Sequence, residues 1–186
     1  MREINTLISQ ILDGDKQAFS ELVQRYESTV FSFAFKVCRD REKAEEALQN
    51  TFVNVYRKLH QFDGKSKFST WLYSIVTNNC FMQNRQRKID EASVQLEDSQ
   101  EQANSTTAGT PTPLDTIMSQ ELQKQLDTAI LKLPVEYRIV FILRDIEGLT
   151  AAETAQVLDI SVPAVKSRLH RARKELREQL SEYVAS

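Results

Sequence analysis

The segment from Leu149 to Arg177 constrains the fold more than any other part of the chain, because it carries the signals of two short helices joined by a tight turn. Thr150 is a good N-cap for the first helix, and Glu153 three residues later completes a capping box. Asp159 tolerates the left-handed backbone that such a turn needs. Ser161 then suits the N-cap of the second helix. The pattern predicts a helix-turn-helix.

The second of these helices is expected to have two unlike faces. Val165 and Leu169 keep one face apolar, whereas positions 164–177 hold six basic residues and one acid. A cationic helix alone is usually a solvated face, but after a capped first helix and a tight turn it is typical of a recognition helix in the DNA major groove. Arg173 and Arg177 lie four residues apart and suit a phosphate backbone. The candidates for reading base edges are Pro163, Ala164, Lys166, Ser167 and His170.

The remaining sequence predicts an all-α fold. It contains only four glycines and four prolines, and its apolar residues recur at helical spacing without strand-like alternation. In the first ninety residues we predict four helices, with Asp15 and Asp40 as N-caps of the second and third. A turn at Phe62–Ser66 precedes the fourth, which is expected from about Ser69 to about Lys88. Four such helices can enclose a small core.

A change in composition divides the chain. Residues 90–116 are rich in Ser, Thr, Gln, Asn and acids, so we expect a flexible acidic linker. It separates two small helical domains, predicted at 1–89 and 117–186. The formal charge of −2 is unevenly spread, with +4 in residues 1–89, −7 in residues 90–121 and +1 in residues 122–186. Two mildly basic blocks therefore flank an acidic connector.

The titratable residues indicate a binding protein rather than an enzyme. Cys38 and Cys80 lack CxxC spacing, and His60 and His170 are far apart, so we predict no metal site and no cofactor. Buried thiols in a reduced cytosol are expected, with a redox pair as the alternative. There is no signal peptide and no apolar run long enough to span a membrane, which predicts a cytoplasmic chain without membrane insertion. No catalytic motif is apparent.

Several blocks of the sequence carry a family resemblance. They are AEEALQNTFVNVYRKL (44–59), FDGKSKFSTWLYSIVTNN (62–79), QNRQRK (83–88) and LPVEYRIVFILRDIEGLTAAETAQVLDISVPAVKSRLHRARKEL (133–176). In this order and at this separation they resemble the extracytoplasmic-function (ECF) sigma factors of bacterial RNA polymerase, over nearly the whole chain. The resemblance implies a sigma region 2-like four-helix bundle and a sigma region 4-like helix-turn-helix domain. It also implies that the linker passes through the polymerase near its active centre.

By this resemblance, the amino-terminal domain would open and read the −10 promoter element. Aromatic rings beside cations can hold unstacked bases, and an extruded base can be read in a pocket. The aromatic candidates are Phe62, Phe68, Trp71 and Tyr73, with a place in the hydrophobic core as the alternative for Trp71. The predicted −10 contacts are Lys65, Ser66, Lys67, Phe68, Trp71, Asn78, Arg85, Arg87 and Lys88.

The same resemblance implies two further sets of contacts. The −35 element would be bound as duplex DNA by Pro163, Ala164, Lys166, Ser167, Arg168, His170, Arg171 and Arg173. The core polymerase would be bound by Glu46, Gln49 and Asn50, for which a solvated helix face is the alternative.

The function implied is that of a sigma factor, which directs core polymerase to specific promoters and melts their DNA. Its partners would be the polymerase core, promoter DNA and an anti-sigma factor. Two alternatives from other classes remain at this point. One is a stand-alone helix-turn-helix regulator that binds DNA as a dimer, and the other is a helical adaptor that binds only proteins.

Overall fold

The structure, a computed structural model, describes residues 3–93 and 125–184, with side chains described up to Met82 in the fourth helix and up to Ser181 in the last. Within these ranges all regular structure is helical and no β-strand occurs, which confirms the predicted all-α class. The chain divides into two compact units. The first contains α1 (Ile4–Leu12), α2 (Lys16–Cys38), α3 (Arg41–Lys58), a 3₁₀ turn (Leu59–Gln61) and α4 (Phe68–Ser93).

The predicted caps set the starts of α2 and α3. A carboxylate oxygen of Asp15 accepts hydrogen bonds from the backbone N–H groups of Gln17 at 2.8 Å and Ala18 at 3.2 Å. Asp40 accepts one from the N–H of Lys43 at 2.9 Å. Each bond satisfies a donor that has no partner inside the helix. Both helix starts are therefore where the sequence indicated.

The core of the first unit is apolar and is shared by its four helices. Large side chains that are at most 2 % exposed come from α1, α2, α3 and α4 and include Leu7, Leu22, Phe33, Val55, Leu72 and Val76. Fully burying one aliphatic side chain of this size contributes about 1.5–3 kcal/mol. The interleaved core fixes how the exposed faces of α3 and α4 are presented.

The fourth helix is longer than predicted. It continues past Asp90, where the linker was expected to begin, and ends at Ser93. Glu91 and Ala92 are good helix formers, and no glycine or proline interrupts the chain before Gly109. Local propensity therefore carries the helix beyond the last core-facing residue. The rest of the predicted linker, 94–116, lies outside the described residues.

The second unit has a break at Pro134, as predicted. Residues 125–132 are helical (α5), and α6 (Val135–Phe141) follows, with Pro134 at its N-cap. The Arg138 guanidinium donates to the backbone carbonyls of Ile130 at 3.1 Å and Leu133 at 3.0 Å. These bonds satisfy acceptors at the end of α5 and hold α5 and α6 together.

A wide π-helical turn, Ile142–Ile146, extends α6 and was not foreseen. The N–H of Glu147 donates to the Ile142 carbonyl at 2.8 Å, five residues earlier. Gly148, two residues after the turn, has a φ of +73°, a backbone conformation that favours glycine. A hydrophobic period of 3.6 residues cannot reveal one widened turn inside a helix.

The helix-turn-helix consists of α7 (Ala151–Leu158) and α8 (Val162–Val184). The carboxy-terminal half of α8 packs on α5, and the shared cluster of buried residues is Ala129, Ile130, Leu133, Ala172 and Leu176. Leu180 and Phe141 pack against the edge of this cluster. The amino-terminal half of α8 is thereby held on a rigid support.

Candidate nucleic-acid interface

The local geometry of the helix-turn-helix agrees with its sequence signals. The N–H of Thr150 donates to the Glu153 carboxylate at 2.8 Å, and the N–H of Glu153 donates to the Thr150 hydroxyl at 3.1 Å. This reciprocal pair is the predicted capping box. Asp159 has a φ of +51° in the turn. The Ser161 hydroxyl accepts from the N–H of Ala164 at 3.3 Å and caps α8.

The α8 helix has one buried stripe and one exposed stripe. Val165, Leu169, Ala172 and Leu176 are at most 8 % exposed and follow a helical period. The rest of the helix surface carries the predicted −35 residues. Six of them are exposed: Pro163, Lys166, Ser167, His170, Arg171 and Arg173. Ala164 and Arg168 are half-buried. The structure thus brings all eight predicted residues onto one helix, six of them on its solvent-facing surface.

Arg171 is held by a residue that the sequence did not single out. A guanidinium nitrogen donates to the hydroxyl of Tyr137 on α6 at 3.0 Å. This hydrogen bond raises the pKa of Arg171 above its usual value. Tyr137 fitted the apolar pattern of its helix, so its polar end carried no separate signal in the sequence.

Arg173 is held more firmly by Asp145, which lies on the π-helical turn. Nε of Arg173 donates to one carboxylate oxygen at 2.8 Å and Nη2 donates to the other at 2.6 Å. Asp145 is only 23 % exposed, and its hydrogen bond raises the pKa of Arg173. An arginine–carboxylate pair with two parallel hydrogen bonds has a fixed geometry and is stronger than a hydrogen bond between neutral groups. The pair uses two of the five guanidinium N–H groups of Arg173 and leaves the others for a further acceptor.

An open cleft lies beside the amino-terminal half of α8. It has a volume of about 390 Å³ and runs between α6 and α8, and it is lined by Pro134, Glu136, Tyr137, Ala164, Ser167, Arg168 and Arg171. Four of these seven residues belong to the predicted −35 set. The cleft is a continuation of the exposed stripe rather than a separate site.

One face of α3 combines polar and apolar exposure. The predicted polymerase contacts Glu46, Gln49 and Asn50 are all exposed. Val53 is 47 % exposed and Tyr56 is 58 % exposed, and both continue the same face at helical spacing. The apolar pair was not foreseen from the sequence.

The aromatic residues around the turn before α4 form a cluster. Ring centroids lie 5.5 Å apart for Phe62 and Phe68, 5.5 Å for Phe62 and Trp71, and 5.1 Å for Tyr26 and Phe68. Phe68 is only 4 % exposed, whereas Phe62 and Trp71 are half-buried. Tyr73, also suggested as an aromatic platform, is buried against Phe33 instead. Phe62 and Trp71 thus offer the accessible rings, with Phe68 beneath them.

The turn itself carries the predicted cations. Lys67 and Lys65 are exposed and Ser66 is half-buried. The Asp63 carboxylate accepts from the backbone N–H of Lys65 at 3.1 Å and from its ammonium group at 2.7 Å. These hydrogen bonds lower the pKa of Asp63 and raise that of Lys65. Gly64, with a φ of +70°, permits the reversal.

Asn78 is exposed on α4, in line with Trp71 two helical turns earlier. Seven residues of helix separate the two positions by about 10 Å. Met82, which is 65 % exposed, lies one turn further on. Arg85, Arg87 and Lys88 fall in the helical part of α4 where only the backbone is described.

A chain of polar side chains fixes α4 against α3 next to Asn78. The side-chain amide of Asn54 donates to the carbonyl oxygen of Asn79 at 3.1 Å. The amide of Asn79 in turn donates to the Thr51 hydroxyl at 3.0 Å, and that hydroxyl donates to the Ala47 carbonyl at 2.6 Å. This network sets the rotation of α4, and so the direction in which the neighbouring Asn78 is presented.

Among the residues that the structure describes, no group of three or more His, Cys, Asp or Glu side chains is arranged to hold a metal ion. Within the same residues, no helix combines the length and apolar character that a membrane span requires.

Comparison with known families matches both halves of the chain. Residues 22–89 match Sigma-70 region 2, and residues 123–176 match Sigma-70, region 4. The ECF RNA polymerase sigma factor SigW of Bacillus subtilis is 34 % identical over 180 residues, which cover 95 % of this chain and 96 % of the relative.

Solved structures give the same result for the fold. CnrH, solved in complex with the cytosolic domain of CnrY, is 25 % identical with a TM-score of 0.64, over 95 % of this chain and 96 % of the other. RpoE from Bartonella quintana, solved with the anti-sigma factor NepR, is 23 % identical with a TM-score of 0.69, over 88 % of this chain and 96 % of the other. The second likeness concerns the fold alone.

Proposed function

The chain belongs to the ECF family of RNA polymerase sigma factors, and from that premise we propose which of its surfaces direct the polymerase to a promoter. A sigma factor acts by binding rather than by catalysis, and sigma factors are not generally enzymes. The comparisons lend no support to a stand-alone regulator. We assign three surfaces: one to −35 duplex DNA, one to the polymerase core and one to the melted −10 strand.

The observation that carries the proposal is the two-faced α8. Its buried stripe fixes it to the second unit, while Lys166, His170 and Arg171 face solvent from its first turns. A helix mounted in this way can enter the major groove. Lys166 would reach the acceptor atoms of guanine as a point charge, and Ser167 can bond either base edges or phosphate. Pro163, Ala164 and Arg168 complete this −35 surface.

Arg171 and Arg173 are assigned to phosphates flanking the read bases. Both are tied to a neighbouring side chain, Arg171 to Tyr137 and Arg173 to Asp145. Such anchoring reduces the side-chain entropy lost when a phosphate is bound. Phosphate contacts of this kind give affinity and register rather than sequence preference.

The polymerase core is assigned to the exposed face of α3. Glu46, Gln49 and Asn50 provide its polar part, and the exposed Val53 and Tyr56 provide apolar area beside them. Apolar and aromatic side chains surrounded by polar ones are the usual composition of a protein-binding surface.

The melted −10 strand is assigned to the turn before α4 and to the face of α4 that follows it. Lys65, Ser66 and Lys67 would meet the backbone, and Phe62 and Trp71 would stack with bases. Buried Phe68 would support these two rings from below. Asn78 can both donate to and accept from a base edge, with Arg85, Arg87 and Lys88 upstream on the same helix.

Regulation and location follow from the relatives. RpoE was solved with an anti-sigma factor, and CnrH with the cytosolic domain of CnrY. We assign this chain an anti-sigma partner and a cytoplasmic place of action, and no catalytic activity of its own.

Run-off transcription with purified bacterial core polymerase tests the proposal. The protein should direct initiation from discrete start sites, and mapping them gives the two promoter elements. The double variant K166A/R171A should lose at least about ten-fold in initiation while it still binds core, since two cationic contacts of about 1 kcal/mol each are removed. Lys132→Ala removes an exposed cation from α5 and is the matched control.

Two results would contradict the assignment. Failure of the intact protein to support initiation at any site would remove the sigma-factor role itself. Equal initiation by K166A/R171A and by the control would show instead that α8 does not read the −35 element, whatever the protein does with the core.

A further inference from the structure

The two cysteines of the chain meet in the first unit. Cys38 is the last residue of α2 and Cys80 lies in the middle of α4, yet their sulfur atoms are 3.5 Å apart. Both are thiols, and no disulfide joins them. The sequence led us to expect two buried thiols, with a redox pair as the alternative. Cys80 is indeed buried, with 2 % exposure, but Cys38 is half-buried and reaches solvent.

We propose that Cys38 and Cys80 are a modification site that forms a reversible intramolecular disulfide by exchange with a low-molecular-weight disulfide such as oxidised glutathione. A disulfide bond is about 2.05 Å long, so the two sulfur atoms have to approach by about 1.5 Å. No other element has to leave the space between them.

The backbone at Cys38 can supply this movement. Cys38 ends its helix, and the following Arg39 has a left-handed backbone with a φ of +55°. A helix end has fewer backbone hydrogen bonds to break than a helix interior. Cys80, in contrast, is held inside α4 next to Asn79, which bonds to α3. Cys38 therefore moves towards Cys80.

The two thiols have different parts in the exchange. The partly exposed Cys38 thiolate attacks a sulfur of the small disulfide, forms a mixed disulfide and releases one thiol. Cys80 then loses its proton and attacks the Cys38 sulfur, which releases the second thiol. Two electrons pass from the cysteines to the small disulfide, and both protons end on the released thiols. The pKa of Cys80 is raised by the hydrogen bond with Cys38 and by burial, which makes it the slower, second partner.

The cross-link would close a loop that contains all of α3 and the turn before α4. Restricting a loop of this length in the unfolded chain stabilises the folded unit. The oxidised protein is therefore expected to melt at a temperature higher by about 5 °C or more.

Titration in glutathione buffers of increasing oxidised fraction tests the site on the full-length protein. The chain has two cysteines, so any intramolecular disulfide must be this pair. We expect loss of both alkylatable thiols in a monomer, full recovery with dithiothreitol, and a higher melting temperature by Trp71 fluorescence. Cys38→Ser, at the half-buried position, should fold and form no disulfide. Cys80→Ala should leave only a mixed disulfide at Cys38.

Three results would overturn the proposal. They are two alkylatable thiols in fully oxidised buffer, a mixed disulfide at Cys38 as the end product in the unsubstituted protein, and an oxidised form that melts no higher than the reduced one. The test needs no polymerase, so its outcome is independent of the sigma-factor assignment.

Discussion

The Tyr137 hydroxyl shows how a single atom can order a side chain that we assign to DNA binding. It lies 3.0 Å from a guanidinium nitrogen of Arg171 and belongs to a helix 34 residues earlier in the chain. Without that bond, Arg171 on the exposed stripe would sample more rotamers before it meets a phosphate. Ordering it in advance lowers the entropic cost of binding.

Tyr137→Phe is therefore expected to weaken promoter binding. The ring and its packing remain, so the loss is that of one hydrogen bond to a charged group, and the Kd of the polymerase complex for −35 duplex should rise about 3–10-fold. Fluorescence anisotropy with a labelled promoter fragment measures it. In an Arg171→Ala background the same substitution should change nothing further, and an undiminished effect there would disprove the coupling.

Asp145→Asn is expected to cost stability. It breaks the two-pronged pair with Arg173, which is half-exposed, so the free energy of unfolding should fall by about 1 kcal/mol or less. Urea unfolding in low salt measures this, and the difference should shrink in about 1 M salt. Because the pair raises the pKa of Arg173 above its usual value, the stabilisation that comes from the arginine is fully present below that usual value and is lost only in stronger alkali. A full effect in high salt would contradict this account.

For single residues, the sequence predicted those contacts that a residue makes with its near neighbours in the chain. The caps at Asp15, Asp40 and Ser161 each need only the next few residues, so their positions follow from residue type. The partners of Arg171 and Arg173 could not be predicted, since they come from 34 and 28 residues away. Only the packing of α6 and the π-helical turn against α8 brings them together.

The α7 helix depends strongly on its ends, because it is only eight residues long. Isolated helices of this length are unstable in water, so its capping box carries a large share of its stability. Thr150→Ala should lower the free energy of unfolding of the second unit by about 1 kcal/mol. Urea unfolding followed by circular dichroism measures the change.

A threonine inside a helix provides the control for this prediction. Thr29 is exposed in the interior of α2, and Thr29→Ala should raise stability by a few tenths of a kcal/mol, because alanine has the higher helix propensity. If both substitutions had the same sign, the cap would not be the reason for the loss at Thr150.

A substitution on the exposed face of α3 should weaken binding of the polymerase core without changing the stability of the protein. Val53 is 47 % exposed, so Val53→Asp should alter the free energy of unfolding by no more than about 0.5 kcal/mol. A new charge in the middle of the surface that we assign to the polymerase core should nevertheless weaken core binding at least about ten-fold. Pull-down of purified core measures this. Glu27→Ala, on the exposed surface of α2, is the control and should bind normally.

Helix order and most helix starts were predictable from caps and apolar period. The end of α4 was not, since no residue type stops a helix sharply between Lys88 and Ser93. The π-helical turn was not predictable either, because it widens a helix without changing which residues are apolar. Tyr73 resembled an exposed platform in the sequence, yet the bundle closes over it, which only the packing of α2 on α4 determines.

For the molecule as a whole, the uneven charge matters more than its sum. The seven carboxylates between residues 90 and 121 bring an otherwise basic chain to a net charge of −2. They repel nucleic acid and should reduce non-specific binding by the protein away from polymerase. The family resemblance could be recognised from the order of the sequence blocks, and the division into two domains was predicted from the change in composition. The proximity of Cys38 and Cys80 could not be predicted, because it depends on how α2 and α4 pack in the bundle.

Neutralising these acids should make the isolated protein bind DNA less selectively. Replacing each by its amide raises the net charge from −2 to +5, and the Kd for random-sequence duplex should fall several-fold at about 50 mM salt. The gain should disappear near 0.5 M salt, where charges are screened within a few ångströms. The residues to change are Asp90, Glu91, Glu97, Asp98, Glu101, Asp115 and Glu121. Unchanged affinity at low salt would contradict this role.

The amide and hydroxyl chain from Ala47 through Thr51 and Asn79 to Asn54 has a mechanical consequence. It joins α3 to α4, and α3 also carries the exposed residues Glu46, Asn50 and Val53, which we assign to the polymerase core. If the polymerase binds the assigned face of α3 and tilts this helix, the hydrogen bonds would carry that movement to α4. Binding of the polymerase would then also turn the helix that presents Asn78.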